Sequence, residues 1–255
     1  MMLNRTQRYR NGECLEVWAE LTTSECLTHG EAEGVIDEIM ARIRSNVEKI
    51  ASRLRELGYK FGRPDGPYKF RADGDYGELD QAEREWGRFP KLVRRFYEAF
   101  EFIDFSQHDD QIDQGSLRGL GYYPQLYFLS LNECAGSRQE MFRQVERDNE
   151  FMSRLMLERG EPWTPDVVEN FLPLGPVASN NSLIGFTLPS TGIDAVCYDD
   201  GGGPVMFLEH LRRIFDCGGF PQLKKYIRND GLRNALGMPD PQSILERLAH
   251  DLEPI

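Results

Sequence analysis

His108, Asp109, Asp110 and Asp113 place four oxygen or nitrogen donors within six residues. Donors at that density are what a divalent cation needs. The spacing is not that of an EF-hand loop, which requires a glycine at its sixth position and a glutamate at its twelfth. No partner carboxylates stand out elsewhere. The residues therefore read as a solvated acidic loop, with no metal site expected. Tyr122 and Tyr123 follow the loop Gly115 to Gly121. Two readings of that pair stay open: aromatic surface offered to a protein partner, or the half-buried start of the next strand.

The remaining chemistry-bearing residues nominate no reaction. His29, His108, His210 and His250 are scattered, with no H-E-x-x-H pair and no G-x-S-x-G elbow. His210 sits beside Glu209 in a helical run and is expected on or near its solvent face. With 42 acidic residues, no pair of carboxylates can be singled out as general acid and base. Gly201, Gly202 and Gly203 precede the same helical run, where free N–H groups can hold an anion. They lack the G-x-x-x-x-G-K-[ST] spacing, and Asp199 and Asp200 beside them repel phosphate. A flexible strand-to-helix turn is expected there. The second glycine pair, in "FLEHLRRIFDCGGFP", comes after its helix, where free carbonyls and not N–H groups point outward. Gly218 suits the left-handed residue that closes a helix, Gly219 lets the chain swing away, Phe220 folds back on the last turn and Pro221 prevents continuation. No catalytic residue, cofactor or metal is expected.

The elements that must position these residues are helices at both ends and strands in the middle. Val35, Ile39, Ile43, Val47, Ile50, Leu54 and Leu57 recur at three- and four-residue steps and predict a helix over 31–57, stopped by Gly58. "FGRPDGPYKFRADGDYGELDQ" reads as a long surface connection. Pro90 opens a helix in "FPKLVRRFYEAF", with Leu92, Val93, Phe96, Tyr97 and Phe100 on one face. "FEFIDF" alternates as a half-buried strand does, and "PQLYFLSLNE" reads as a more deeply buried one. A charged helix is predicted over 137–159 with a capping box of Ser137 and Glu140. "FLPLG", "NSLIGFTLP" and "IDAVCY" predict an antiparallel meander in which 182–188 pairs with 193–198 across the turn "PSTG". Phe207, Leu208, Leu211, Ile214 and Phe215 share the inner face of the next helix. A short helix in "PQLKKYIRN" and a terminal one from about 241 to 253 follow. The fold class is α+β.

The 255 residues carry a net charge of −12, with 40% apolar and 11% aromatic content. Such a chain folds, and it offers no broad basic surface for nucleic acid. Direct nucleic-acid binding is not expected; a basic partner is what an acidic surface suits. Cys14, Cys26, Cys134, Cys197 and Cys217 are odd in number and contain no C-x-x-C, which fits free thiols in a reducing cytoplasm. No stretch is apolar enough to span a membrane, and no signal core is seen at the start.

The order of "LRELGYKF", "GRFPKLVRRFYEAFEFIDF", "FLPLG" with "SLIGFTLPSTGIDAVCYDD", and "FLEHLRRIFDCGGFP" resembles the SUKH superfamily, from about Asn46 to Pro221. The resemblance rests on Gly87, Pro90, Phe96 and Tyr97 in the first motif. In the second it rests on Leu211, Arg212, Gly218, Gly219, Phe220 and Pro221. Cys217 stands where the pattern has Trp, and Gln222-Leu223 where it has Gly and an aromatic; these departures concern the subgroup more than the fold. The resemblance implies one SUKH-like domain over 1–255: a twisted, mostly antiparallel sheet with helices packed on it, an N-terminal helical extension (about 1–58) and a C-terminal helix. It implies binding and not catalysis. Members are bacterial immunity proteins that neutralise toxins, or regulators related to a yeast cell-wall-assembly protein. The expectation is a protein-binding module for a basic, nucleic-acid-targeting toxin, meeting it through Asp109, Asp110, Asp113, Tyr122 and Tyr123. The alternatives are a regulatory or scaffolding relative with no toxin partner and, third, an enzyme with an unrecognised site.

Overall fold

Periodicity in the first third of the chain becomes three helices: α1 (Arg5–Arg10), α2 (Cys14–Thr23) and α3 (His29–Glu56). The computed structural model describes residues 4–23, 29–107, 126–165, 170–176, 183–190, 192–199, 203–229 and 240–255. Val35, Ile39, Ile43, Val47, Ile50 and Leu54 of α3 are all buried. The helix stops as expected. Gly58 has φ +80°, its N–H bonds the Arg55 carbonyl at 2.9 Å, and the Tyr59 N–H bonds the Leu54 carbonyl at 2.9 Å. That is the paired closure of a Schellman motif, and only glycine enters it without strain.

The stretch expected as a surface connection holds two elements, β1 (Tyr68–Phe70) and α4 (Gly77–Trp86). Leu79, Ala82 and Trp86, three and four residues apart, give α4 a buried face. The Gly, Pro and Asp around them set the turns at either end and hide that short period. Next come α5 (Lys91–Ala99), β2 (Phe100–Asp104), β3 (Tyr127–Phe128) and α6 (Leu131–Arg159). The alternation expected of β2 is broken, because Phe102, Ile103 and Asp104 are buried in succession. The buried strand expected in "PQLYFLSLNE" is only two residues long and gives way to α6. The capping box is made by Ser130 and Glu133, one repeat earlier than Ser137 and Glu140. Both pairs fit the S-x-x-E pattern. Leu131 and Cys134, whose side chains reach the core, decide between them.

The meander forms as read: β4 (Phe171–Pro176), β5 (Leu183–Thr187) and β6 (Val196–Asp199) pair antiparallel in sequence. Gly203, expected in a flexible turn, instead begins β7 (Gly203–Met206), which pairs with β6. α7 (Phe207–Phe215), α8 (Gln222–Ile227) and α9 (Pro241–Ala249) follow among the described residues. Among the described residues the strands form two antiparallel sheets, β1-β2-β3 and β4-β5-β6-β7. The sheets abut. The Leu129 N–H donates to the Leu174 carbonyl at 2.8 Å, and a Cβ at Gly175 would stand 2.2 Å from the Tyr127 carbonyl oxygen. Helices pack on this strand layer, an α+β architecture.

One continuous apolar cluster runs from Tyr9 to Ile255. Phe96 is its aromatic hub, with ring centroids 4.9 Å from Phe128, 5.1 Å from Phe100 and 5.6 Å from Phe207. Arg42, 7% exposed, ties both chain ends to α3. It donates to the Pro254 carbonyl at 2.7 Å, to Glu38 at 3.1 Å and to the Tyr9 carbonyl at 3.3 Å. A guanidinium this deeply placed needs such acceptors, since a buried charge without partners is strongly destabilising.

Candidate functional site

Asp109, Asp110, Asp113, Tyr122 and Tyr123, together with His108, lie outside the described residues. The described residues on either side of that segment form a braced base. The Phe105 N–H donates to the Leu126 carbonyl at 3.2 Å, and the Leu126 N–H donates to the Gly219 carbonyl at 3.3 Å. Phe61 and Gln107 form an antiparallel bridge. The Tyr59 hydroxyl donates to the Phe105 carbonyl at 2.6 Å. The glycine turn after α7 thus supports this base as well as ending its helix.

That turn has the geometry read from its sequence. Gly218 and Gly219 have φ of +55° and +87°. Their N–H groups bond the Phe215 and Ile214 carbonyls at 2.9 and 3.0 Å. A Cβ at Gly218 would stand 2.4 Å from the Leu248 Cβ, so the position needs glycine for space as well as for conformation. Phe220 is fully buried, with its ring 6.1 Å from that of Tyr59; Pro221 is half-buried at the head of α8. Leu211 is in the core, and Arg212 reaches the Ile255 carbonyl. In the other motif Phe96 and Tyr97 are core residues and Pro90 precedes α5. Gly87 has φ +102°, and a Cβ there would stand 3.0 Å from the Pro189 Cβ.

A polar cluster sits beside this braced base. Arg63 stacks 4.0 Å over the Phe102 ring, donates to Asp104 Oδ2 at 3.1 Å and pairs with Glu133. Asp104, 5% exposed, also accepts the Ser106 N–H at 2.9 Å. Burial, then Asp104, then Glu133 push the Tyr127 hydroxyl up to about 12. Arg63 thus joins Asp104 of β2 to Glu133 of α6 at the edge of the core.

The acidic excess between Asp73 and Glu85 is at the surface. Asp73, Asp75, Glu78, Asp80 and Glu85 are exposed. Arg71 holds Glu78 at 3.3 Å, and Arg94 holds Asp80 at 2.9 Å and also Glu83. Asp73, Asp75 and Glu85 have no ion pair among the described residues. The result is a ridge on α4 and the turn before it that faces water with carboxylates to spare.

The described cysteines, His210 and Asp194 are all buried. Cys14, Cys134, Cys197 and Cys217 are buried and free. Burial pushes the Cys134 thiol up to about 12, and it raises Cys197 and Cys217 as well. A thiol raised by burial supplies little thiolate. His210 is not near the solvent face: it is 7% exposed, edge-on to Phe128 at 6.4 Å. Burial first, and then Arg213, lower it to about 4. Flanked by core residues at 207, 208, 211 and 214, it lies on the wider buried arc of α7, which the neighbouring Glu209 concealed. Asp194, 7% exposed, accepts the N–H groups of Ala195 at 2.8 Å and of Leu208 at 3.4 Å. Burial raises it to about 6 against the pull of those bonds. Its place is the start of α7, where a carboxylate satisfies an otherwise unpaired N–H. No group of three or more His, Cys, Asp or Glu among the described residues is placed to hold a metal ion. No helix among them is long and apolar enough to cross a membrane.

No family model, no curated protein and no solved structure matches the chain.

Proposed function

We propose that this chain is a non-enzymatic protein-binding module of the SUKH type, an immunity protein that neutralises a basic, nucleic-acid-targeting toxin by covering it. The observation that carries the reading is the ridge of exposed, partly unpaired carboxylates from Asp73 to Glu85 on a chain of net charge −12. Such a surface accelerates encounter with a basic cleft. Asp109, Asp110 and Asp113 add to the acidic charge of the chain, and Tyr122 and Tyr123 are the residue types that anchor an interface against dissociation. The bracing of the residues that flank Asp109 to Tyr123 supports the reading, since a binding segment gains affinity when its ends are held in advance. The free, buried thiols suit a reducing cytoplasm. Affinity capture from the native cell, followed by identification of what is retained, tests the proposal. A basic nuclease-like protein in stoichiometric amount is expected. A partner that is not a toxin would move the assignment to a regulatory or scaffolding role, and turnover of a small molecule by the purified chain would overturn it.

A further inference from the structure

An open groove of about 570 Å³ lies between α3, α5 and the turn that leads from β1 to α4. The covered part of its lining is apolar: Met40 and Ala99 are buried, and Phe70 and Tyr76 are half-buried. The charged part is uneven. Asp37, Glu48, Asp73 and Glu98 line the groove against only Arg44 and Arg95. Arg95 is already paired within it, with Asp37 at 3.1 Å and Glu98 at 2.7 Å. Glu48 and Asp73 are exposed and have no ion pair among the described residues. Arg44 pairs with neither. Its guanidinium lies 4.6 Å over the Phe70 ring and donates to the Ala99 carbonyl at 3.2 Å. Its Nε–H, shielded from solvent, has no acceptor among the described residues.

We propose that this groove receives a segment of the basic protein partner, with an arginine or lysine stem laid on the apolar lining and its head directed to the unpaired carboxylates of Glu48 and Asp73. The inference rests on the proposed function and narrows it to one place: Asp73 begins the acidic ridge, so the groove continues that surface. Three features select the occupant. Four carboxylates against two guanidiniums draw a cation. Apolar lining beneath exposed carboxylates matches side chains that carry a charged head on an apolar stem, and Tyr76 adds a ring of the kind that attracts a cation. The Arg44 Nε–H lacks the acceptor that a buried donor needs. A peptide supplies a carbonyl at every residue, whereas a free polyamine supplies none. The volume agrees, since ligand sites occupy roughly 300–1,000 Å³ and the groove has more room than one side chain fills.

Amide NMR of the isotope-labelled full chain tests it, with two probes titrated at about 50 mM NaCl: acetyl-Gly-Arg-Gly-Arg-Gly-amide and its citrulline counterpart, which keeps the shape and loses the charge. The arginine peptide is expected to shift the amides of Ser45, Glu48, Asp73 and Tyr76 saturably, and the citrulline peptide to bind about tenfold more weakly or less. Glu48→Lys with Asp73→Lys should weaken the arginine peptide about tenfold or more. A matched reversal on α6, Glu146→Lys with Glu158→Lys, should leave it within about twofold, because screening limits the reach of distant charges. The comparison of the two peptides on the wild type needs no variant to fold. Shifts spread over the acidic surface without saturation in the groove would overturn the proposal. So would equal affinity for the two peptides, equal effects of the two charge reversals, or spermidine held in the groove more tightly than the arginine peptide. Failure of the groove is separable from failure of the functional reading. A captured basic partner that binds Glu48→Lys with Asp73→Lys as tightly as the wild type overturns the groove and leaves that reading intact, whereas capture of a partner that is not basic overturns the reading itself.

Discussion

Two buried groups near the start of α7 give the stability of this chain opposing pH dependences, and Asp194→Asn separates them. Asp194 moves from 3.8 to about 6 on folding. Its folded form holds the proton more tightly, so its contribution is fully present below pH 3.8 and is lost as pH rises through about 6. His210 moves from 6.5 to about 4. Its folded form resists the proton, so its contribution is present above pH 6.5 and is lost as pH falls through about 4. Linkage converts each shift into energy at about 1.4 kcal/mol per pH unit between the folded and unfolded values. Between pH 7 and pH 4.5 the wild type thus gains roughly 2 kcal/mol from Asp194 and loses roughly 2 kcal/mol through His210. The two nearly cancel. Asp194→Asn keeps an acceptor for the Ala195 N–H but does not titrate. Its stability relative to the wild type should fall by about 2 kcal/mol on going from pH 7 to pH 4.5. His210→Gln should rise relative to the wild type by about as much over the same interval. Urea unfolding at half-unit pH steps measures both, and every other titrating group cancels in the difference. A pH-independent difference between Asp194→Asn and the wild type would refute the argument, because it would mean that Asp194 titrates alike in the folded and unfolded chain.

Four further outcomes follow from local geometry. Gly218→Ala should cost about 2–4 kcal/mol in urea unfolding, from left-handed strain plus collision with Leu248. Gly74→Ala, at φ +82° with nothing within 4 Å of its Cβ, should cost only about 1 kcal/mol. Asn46 exchanges two hydrogen bonds with the Glu253 backbone, at 2.8 and 2.7 Å. Asn46→Ala should lower stability by about 2–3 kcal/mol and expose the C-terminal residues to carboxypeptidase before global unfolding. In a Cys26→Ser protein, the four buried thiols should react with Ellman's reagent at pH 8 only as fast as the fold opens. Immediate labelling of any one would restore a nucleophile to consideration.

Much of the fold was legible because its signals are local. The Gly58 stop, the glycine turn after α7 and the β4–β5–β6 meander each follow from a few adjacent residues and formed as read. Failures came where a residue's environment is set from far along the chain. Ser130 and Ser137 offer the same cap, and only the burial of Leu131 and Cys134 distinguishes them. Asp104 looks like the solvent-facing member of an alternating strand until Arg63, some forty residues earlier, arrives to hold it.

In the proposed function an acidic face of this chain meets a basic protein. Surface-plasmon kinetics of the captured partner, at 50 and 500 mM salt, test it most directly. Wild-type association is expected to slow about tenfold or more at the higher salt. Asp109→Lys with Asp110→Lys, or Asp73→Lys with Asp75→Lys, should slow it at low salt and flatten the salt dependence. Tyr123→Ala should act mainly on dissociation. Association that is indifferent to salt and to both charge reversals would contradict the account.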